Sequence, residues 1–318
     1  MTYDNMIKVW SLAALMGLPM ATGCDEAVEE LDDDDIDFTP ADDEVTYRSI
    51  NDNGIEPNGF KMNGFKMNGF LLGLISELTS SVTDLQFQSG SLLRAWHSGS
   101  GTWKVGAQLN GMTFNISTEI DGTPVDGQLK VVSVTQSTAP GQSDVYFYNI
   151  QNWNGSAWVS ACYDGAGQPV EAIALQGNWD AATGSRTSDS GLTWACRGAA
   201  LAKAVEWGWR PWVSTAHKNL HQAAVRMIRA DYCGNGVHHT TNGNPIDIQD
   251  HLGIQTFESG WNVEAGWGVN GAVCVDTPRK LYWPKNSLNP CSNLPACNVN
   301  PIATQGALLV TKALPNNI

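Results

Sequence analysis

The chain has 318 residues, of which 42% are hydrophobic and only 16% are charged, and it contains 13 tryptophans and 32 glycines. This composition is enough to build a sizeable core and favours a loop-rich β protein over a helical bundle. The net charge of −14 is concentrated in twelve acidic residues between Asp25 and Glu44, and there is no basic stripe, so nucleic acid is not an expected partner.

The N-terminus has the pattern of an export signal. Residues Val9–Met20 form an apolar run that is too short to cross a bilayer as a helix but has the length of a signal-peptide core. The run is followed by Ala21-Thr22-Gly23-Cys24, which resembles the lipobox of bacterial lipoproteins. We therefore predict a signal peptide over residues 1–23, lipidation of Cys24 and attachment to a membrane through this lipid anchor. The alternative is an ordinary signal peptide that is cut near Ala21.

Two segments of simple composition follow. Residues 24–57 are dominated by like charges that cannot be buried, which predicts an acidic disordered tether. A calcium-binding run is the alternative, although the spacing of an EF-hand is missing. Residues 58–84 begin with units that read Asn-Gly-Phe and start at Asn58, Asn63 and Asn68. Because these units supply only about one coil of a solenoid, we expect an extended or turn-rich segment instead.

Residues 85–195 have the pattern of short strands separated by turns. Apolar and polar residues alternate in several runs, including Leu129–Val134 and Val145–Ile150, and dipeptides such as Asp126-Gly127 predict turns. We also expect Ala107–Leu109 to be a strand. The region is predicted to form an antiparallel sandwich or a barrel-like sheet of about six to eight strands.

Residues 196–318 are predicted to combine helices with further strands and to form one domain with the preceding region. Gly198–Trp209 is alanine-rich and is stopped by Pro211, and Ala216–Ala230 follows a Ser-Thr pair that can cap a helix. Ala272–Val275 is the clearest later strand. The expected fold class is therefore β-rich α+β, with about two helices packed on the β region.

The cysteine count supports the export signal independently. The chain contains seven cysteines, an odd number, and six remain if Cys24 carries the lipid. Six cysteines can form three disulfides in an oxidising compartment, with fifteen possible pairings. We predict that sequence neighbours pair, which gives Cys162–Cys196, Cys233–Cys274 and Cys291–Cys297.

One segment of the chain resembles a known family. Arg229–Gly234 reads Arg-Ala-Asp-Tyr-Cys-Gly, and it is flanked by Trp207–Trp212, Gly243–Ile248 and Gly266–Cys274. Together these segments are similar to the ADYC-domain family over roughly residues 107–280. The resemblance implies an exported, lipid-anchored myxobacterial protein, and it implies no particular chemistry because no activity is assigned to the family.

Histidines are the candidate metal ligands. His217 and His221 lie four residues apart and hence on one face of the second predicted helix, and His238 and His239 follow. The helix lacks the glutamate of a zinc-protease motif. The alternative is that His221 packs inside and His217 lies on the surface, and we predict neither a metal nor another cofactor. A nucleophile pair of Cys233 with a histidine requires a free thiol, which three disulfides would remove.

Aromatic and acidic residues supply the remaining candidates. Trp207, Trp209 and Trp212 can either stack on sugar rings in a binding site or fill a loop-rich core. Asp231 is a candidate for binding or acid chemistry, and the alternative is a structural ion pair with the arginines one turn before it.

These patterns favour a non-catalytic lipoprotein over an enzyme. We expect an exported, lipid-anchored protein of the outer membrane, on its periplasmic face or at the cell surface, that binds an envelope glycan or protein or has a structural role. The alternative is a secreted hydrolase of polysaccharide or peptide, which requires a concave site with perturbed carboxylates or histidines. The sequence assigns no catalytic residue.

Overall fold

The computed structural model describes residues 50–53, 71–72, 82–120, 123–164, 167–180, 183–240, 244–279, 291 and 293–313. The predicted signal peptide, Cys24, nearly all of the acidic tether and most of the Asn-Gly-Phe segment lie outside these residues. Within the described part of the chain, no helix is long and apolar enough to cross a membrane.

Antiparallel strands make up most of the body before the helices. The strands are β1 (Ile50–Asn53), β2 (Leu71–Leu72), β3 (Val82–Ser89), β4 (Leu92–His97), β5 (Thr102–Val105), β6 (Thr113–Ile120), β7 (Thr123–Gln136), β8 (Tyr146–Trp153), β9 (Trp158–Ser160), β10 (Ala172–Trp179) and β11 (Arg186–Cys196). Strands β3, β4 and β5 form a three-stranded sheet. A seven-stranded sheet has the order β2-β11-β10-β8-β7-β6, with β9 paired to β8.

Strand β10 shows how the seven-stranded sheet contributes to two cores. Because successive side chains of a strand point to opposite faces, Ala172 and Ala174 pack in the core shared with the three-stranded sheet, while Ile173 and Leu175 pack against the helices. All four side chains are fully buried. The predicted sandwich is therefore present, and neither sheet closes into a barrel among the described strands.

The two predicted helices are confirmed with slightly shorter bounds. Helix α1 covers Ala200–Glu206, α2 covers Thr215–Ile228, and a short third helix, α3, covers Pro301–Thr304. Ser214 caps α2, because its hydroxyl accepts the backbone N–H of His217. The apolar faces of α1 and α2 pack on the seven-stranded sheet.

The residues after α2 form a second large sheet that the sequence predicted only in part. Its strands are β12 (Asn244–Asp250), β13 (Asn262–Gly268), β14 (Gly271–Val275) and β15 (Leu309–Ala313), in the order β1-β12-β15-β13-β14. Strand β15 is the last described strand in sequence, yet it lies in the middle of this sheet. Helix α2 contacts β13, β14 and β15, so the helices lie between the two larger sheets. The β-rich α+β class is confirmed.

Two local predictions were wrong. Ala107–Leu109, expected as a strand, belongs to a single 3₁₀ turn over Gly106–Leu109, because Gly106 has a φ of +53° and ends the extended backbone. Asp126-Gly127, expected as a turn, lies inside β7, where both residues pair with β6. A continuous neighbouring strand thus overrides the local turn preference of this dipeptide.

All six cysteines expected to form bridges do so. The observed pairs are Cys162–Cys196, Cys233–Cys291 and Cys274–Cys297. The first pair confirms the prediction, whereas the predicted Cys233–Cys274 and Cys291–Cys297 pairs were wrong. Three disulfides fit a protein located outside the cytoplasm.

The position of Cys274 explains the wrong pairing. The β13–β14 hairpin brings Cys274 beside the segment that leads to Cys297, and the N–H of Val275 donates to the carbonyl oxygen of Pro295 at 2.9 Å. The Cα atoms of Cys274 and Cys297 are 4.9 Å apart, within the range of a disulfide. A rule that pairs each cysteine with the next one along the chain therefore misses the Cys274–Cys297 bridge, because the hairpin brings these two residues together.

Candidate functional site

The Asp231 segment is a buried turn at the end of α2. The Asp231 carboxylate accepts a hydrogen bond from Arg226 Nη1 at 2.6 Å and from the backbone N–H groups of Asn235 and Gly236 at 3.1 and 3.0 Å. Both members of the ion pair are buried, so the predicted structural ion pair is confirmed. Among the described residues, Ala230 alone combines a side chain with a left-handed φ, of +49°. These bonds hold the chain in its sharp change of direction after the helix.

A second buried network begins at the next residue, Tyr232. Its hydroxyl donates to Glu264 Oε1 at 2.6 Å, and Arg279 Nε donates to the same oxygen at 3.0 Å. Burial raises the pKa of Tyr232 well above its ordinary value, so the phenol remains a proton donor. Its ring stacks on Trp267 with the centroids 5.0 Å apart. This network joins the end of α2 to β13 and is closed to ligands.

The candidate histidines do not assemble a metal site. His221 is fully buried with Nε2 at 3.1 Å from the carbonyl oxygen of Leu201, and burial lowers its pKa to about 3. His217 lies at the start of α2, where Nδ1 is 2.9 Å from Ser214 Oγ, and His238 is exposed. In the described part of the chain, no three His, Cys, Asp or Glu side chains are grouped so that they could hold a metal ion.

The three candidate tryptophans have different environments. Trp209 is fully buried and donates from Nε1 to Asp250 at 3.0 Å, and Trp207 packs edge-on against it with the ring centroids 6.1 Å apart. Trp212 is half-buried and donates from Nε1 to Asp144 at 2.6 Å. Trp212 packs against the core and is also one of the residues that line a cavity at the start of α2. Of the three, Trp212 is therefore placed to meet a ligand at this cavity.

We name this cavity the cationic pocket. It has a volume of about 320 Å³ and is lined by Gln176, Arg186, Asp189, Pro211, Trp212, Ser214, Thr215 and Lys218. Strands β10 and β11 supply one wall, and the segment that leads into α2 supplies the other.

Asp189 lies between the two cations of the cationic pocket. Lys218 Nζ donates to Asp189 Oδ2 at 2.7 Å, and Arg186 Nε lies 3.0 Å from Oδ1. The hydrogen bond from Lys218 lowers the pKa of Asp189, whereas burial lowers that of Arg186. The Arg186 guanidinium also lies over the Trp179 ring at 4.8 Å and donates to the carbonyl oxygen of Gln176 at 2.8 Å. Arg186 is thus held by Asp189, the Trp179 ring and the Gln176 carbonyl, whereas Lys218 is held by Asp189.

A second cavity lies at the start of α1, and we name it the carboxylate pocket. It has a volume of about 460 Å³ and is lined by Asn149, Asp164, Pro169, Val170, Glu171, Arg197, Gly198 and Glu206. Arg197 bonds Glu171 at 3.1 Å and Glu206 at 2.8 Å, and its guanidinium lies 4.1 Å from the Phe147 ring centroid. Burial raises the pKa of Glu206, and the Arg197 charge opposes this effect.

The sequence predicted neither cavity as a site. Arg186 lies on β11 and Lys218 on α2, which are distant in sequence. Glu171, just before β10, is likewise distant in sequence from Glu206 on α1. Only Trp212 was among the candidates, as one of many tryptophans. The Ser214 cap was the one local signal that could have drawn attention to this surface.

These features define a disulfide-linked, β-rich domain with a buried ionic turn and small polar surface cavities. The ADYC domain family matches residues 106–281, more than half of the chain, and the chain belongs to this family. The comparisons with curated proteins and with solved structures found no match. Both cavities and the Asp231 turn lie within the matched residues.

Proposed function

We propose that this protein is an exported, lipid-anchored protein of the outer membrane whose ADYC domain binds an envelope saccharide without catalysing a reaction. The observation that carries the proposal is the cationic pocket, which Trp212 lines together with charged and polar residues. An aromatic face next to hydrogen-bonding groups suits a sugar ring. The buried state of Asp231 and Tyr232 supports a structural role for the family's signature residues.

Export and anchoring are supported by separate observations. Three disulfides suit an oxidising compartment, and Cys24 follows an apolar run with the pattern of a lipoprotein signal. Replacing Cys24 with alanine should abolish labelling of the full chain by a fatty-acid analogue and release the protein from membranes. Thr22→Ala, which keeps the thiol, is the control. Unchanged membrane association of the Cys24→Ala protein would contradict the anchor.

Saccharide binding can be tested by cosedimentation of the full chain with purified envelope polysaccharide. Trp212→Leu should weaken binding about tenfold, because a stacking contact contributes up to about 1.5 kcal/mol. Asp144 keeps its ion pair with Arg210 at 2.5 Å in this variant, so the local turn should persist. Trp153→Leu removes an exposed ring on β8 and should bind as wild type does. Equal binding by the Trp212→Leu protein would contradict the proposal.

A second candidate function, hydrolysis of polysaccharide or peptide, is favoured by the carboxylate pocket. Burial raises the pKa of Glu206, which suits a proton donor, and Glu171 lies on the other side of the same arginine as a candidate base. Glu206→Gln should then abolish hydrolysis, whereas the exposed control Glu258→Gln should not. A wild-type chain that cleaves neither class of polymer would refute this function.

A further inference from the structure

Asp189 occupies the position that a ligand carboxylate would take in the cationic pocket. Its two oxygens are divided between two cations, with Lys218 on Oδ2 and Arg186 on Oδ1. The Asp189 side chain is 69% exposed, whereas Lys218 is 28% and Arg186 13% exposed. The cations therefore lie deeper than the carboxylate they hold, as in a site that binds an anion arriving from solvent.

The backbone around Asp189 leaves this residue free of the sheet ladder. Leu192 pairs with Gln176 and Ser188 pairs with Asn178, so three residues of β11 face the single residue Gly177 of β10. The residues of such a bulge lack regular pairing, and their side chains point in directions that differ from those of a regular strand. Asp189 is thus held at the pocket by its ion pairs and not by strand hydrogen bonds.

We propose that the cationic pocket binds a carboxylate-bearing sugar, whose carboxylate replaces Asp189 between Arg186 and Lys218 while the sugar ring lies against Trp212. This inference rests on the proposed saccharide-binding function and specifies its ligand class. Asp189 acts as an internal occupant that keeps the two cations paired when no sugar is bound.

The size and lining of the cavity define this ligand further. A volume of about 320 Å³ is at the lower end for ligand pockets, which suits one sugar unit and not a folded chain. The geometry already accommodates one planar carboxylate between the two cations. Gln176 and Thr215 line the same cavity, and an amide and a hydroxyl are groups that can bond sugar hydroxyls.

The test uses the full chain with D-glucuronate and D-galacturonate, each compared with its uncharged methyl ester. Binding is followed through the indole N–H resonance of Trp212, assigned with the Trp212→Phe protein. Both acids should bind more tightly than their esters. Asp189→Asn should increase the affinity for the acids about fivefold, because the Asp189 carboxylate no longer competes with the ligand carboxylate or repels it. The affinity for the esters should not change. Lys218→Met should weaken the preference for the acids, because Arg186 alone then remains to bind the carboxylate.

Controls and outcomes separate this inference from the proposed function. Glu258→Gln makes the same charge change as Asp189→Asn on an exposed loop and should leave all four affinities unchanged, and circular dichroism checks that Lys218→Met is folded. Equal affinity for acid and ester would overturn the carboxylate inference but leave saccharide binding intact. The carboxylate inference would also be overturned if neither wild type nor Asp189→Asn bound either acid at millimolar concentration. The proposed saccharide-binding function would then be decided separately, by the polysaccharide assay on Trp212→Leu.

Discussion

Removal of the Asp231 carboxylate should destabilise the domain strongly. In Asp231→Ala, Arg226 would remain buried with an unpaired charge, and the N–H groups of Asn235 and Gly236 would lose their acceptor. Breaking a buried ion pair by deleting one partner costs about 3–5 kcal/mol. Because whole domains are stable by only about 5–15 kcal/mol, this single change should remove a large part of the free energy of unfolding.

The assay is equilibrium unfolding in urea at neutral pH, with the disulfides intact and tryptophan fluorescence as the signal. A loss of about 4 kcal/mol should also lower the melting temperature by roughly 10 °C in a domain of this size. Glu258→Ala, which removes an exposed carboxylate, is the matched control and should unfold as wild type does.

A double-mutant cycle tests the proposed cause. If the loss comes from the uncompensated charge of Arg226, then Arg226→Met combined with Asp231→Ala should cost less than the sum of the two single changes. Additive losses, or an Asp231→Ala protein within about 1 kcal/mol of wild type, would refute the reasoning.

Two further predictions concern His221 and Gly234. Because only the unfolded chain takes up a proton on His221 between its ordinary pKa of 6.5 and its folded value of about 3, this residue should by itself lower the unfolding free energy by about 1.4 kcal/mol per pH unit on acidification through this range. Unfolding free energies measured with urea at several pH values in this range should fall less steeply with decreasing pH for His221→Leu than for wild type. The same dependence on pH in both proteins would contradict the assignment. Gly234→Ala would place Cβ 1.9 Å from the carbonyl oxygen of Asn270 and should cost about 3 kcal/mol or more, whereas Gly253→Ala, also at positive φ but with open space, should cost much less. Similar thermal stability of these two variants would argue against the close contact.

Local sequence patterns predicted the helices and many strands, because capping, proline stops and the alternation of apolar and polar residues depend on interactions between residues close in sequence. Ser214 marks the start of α2 because its hydroxyl accepts a backbone N–H of the first turn. Pro211 marks the stop after α1 because proline cannot continue a helix. The five-stranded sheet was predicted only in part, because β15 reaches its place between β12 and β13 through tertiary contacts. Asp126-Gly127 failed because pairing with β6 overrides the turn preference of the dipeptide. The cysteine pairing failed because the fold, and not the order of the cysteines along the chain, decides which of them meet.

The candidate site was less accessible to sequence reasoning than the fold. Asp231 stood out as a motif, and its alternative as a buried ion pair with Arg226 is what the structure contains. Trp212 was named only as one of several tryptophans. The cations of the cationic pocket carry no sequence signature, because the packing of β11 against the start of α2 brings Arg186 and Lys218 to the same cavity.

The central position of β15 has a consequence for the order of assembly. Strands β12 and β13 do not pair with each other, since each forms its ladder with β15. In a chain that emerges from a ribosome or a translocation pore with its N-terminus first, β12 and β13 therefore each keep one edge without hydrogen-bond partners until residues 309–313 have emerged. Open edges invite pairing with other chains. Chains in which β12 and β13 have formed but residues 309–313 have not yet joined them are thus expected to be the most prone to aggregation.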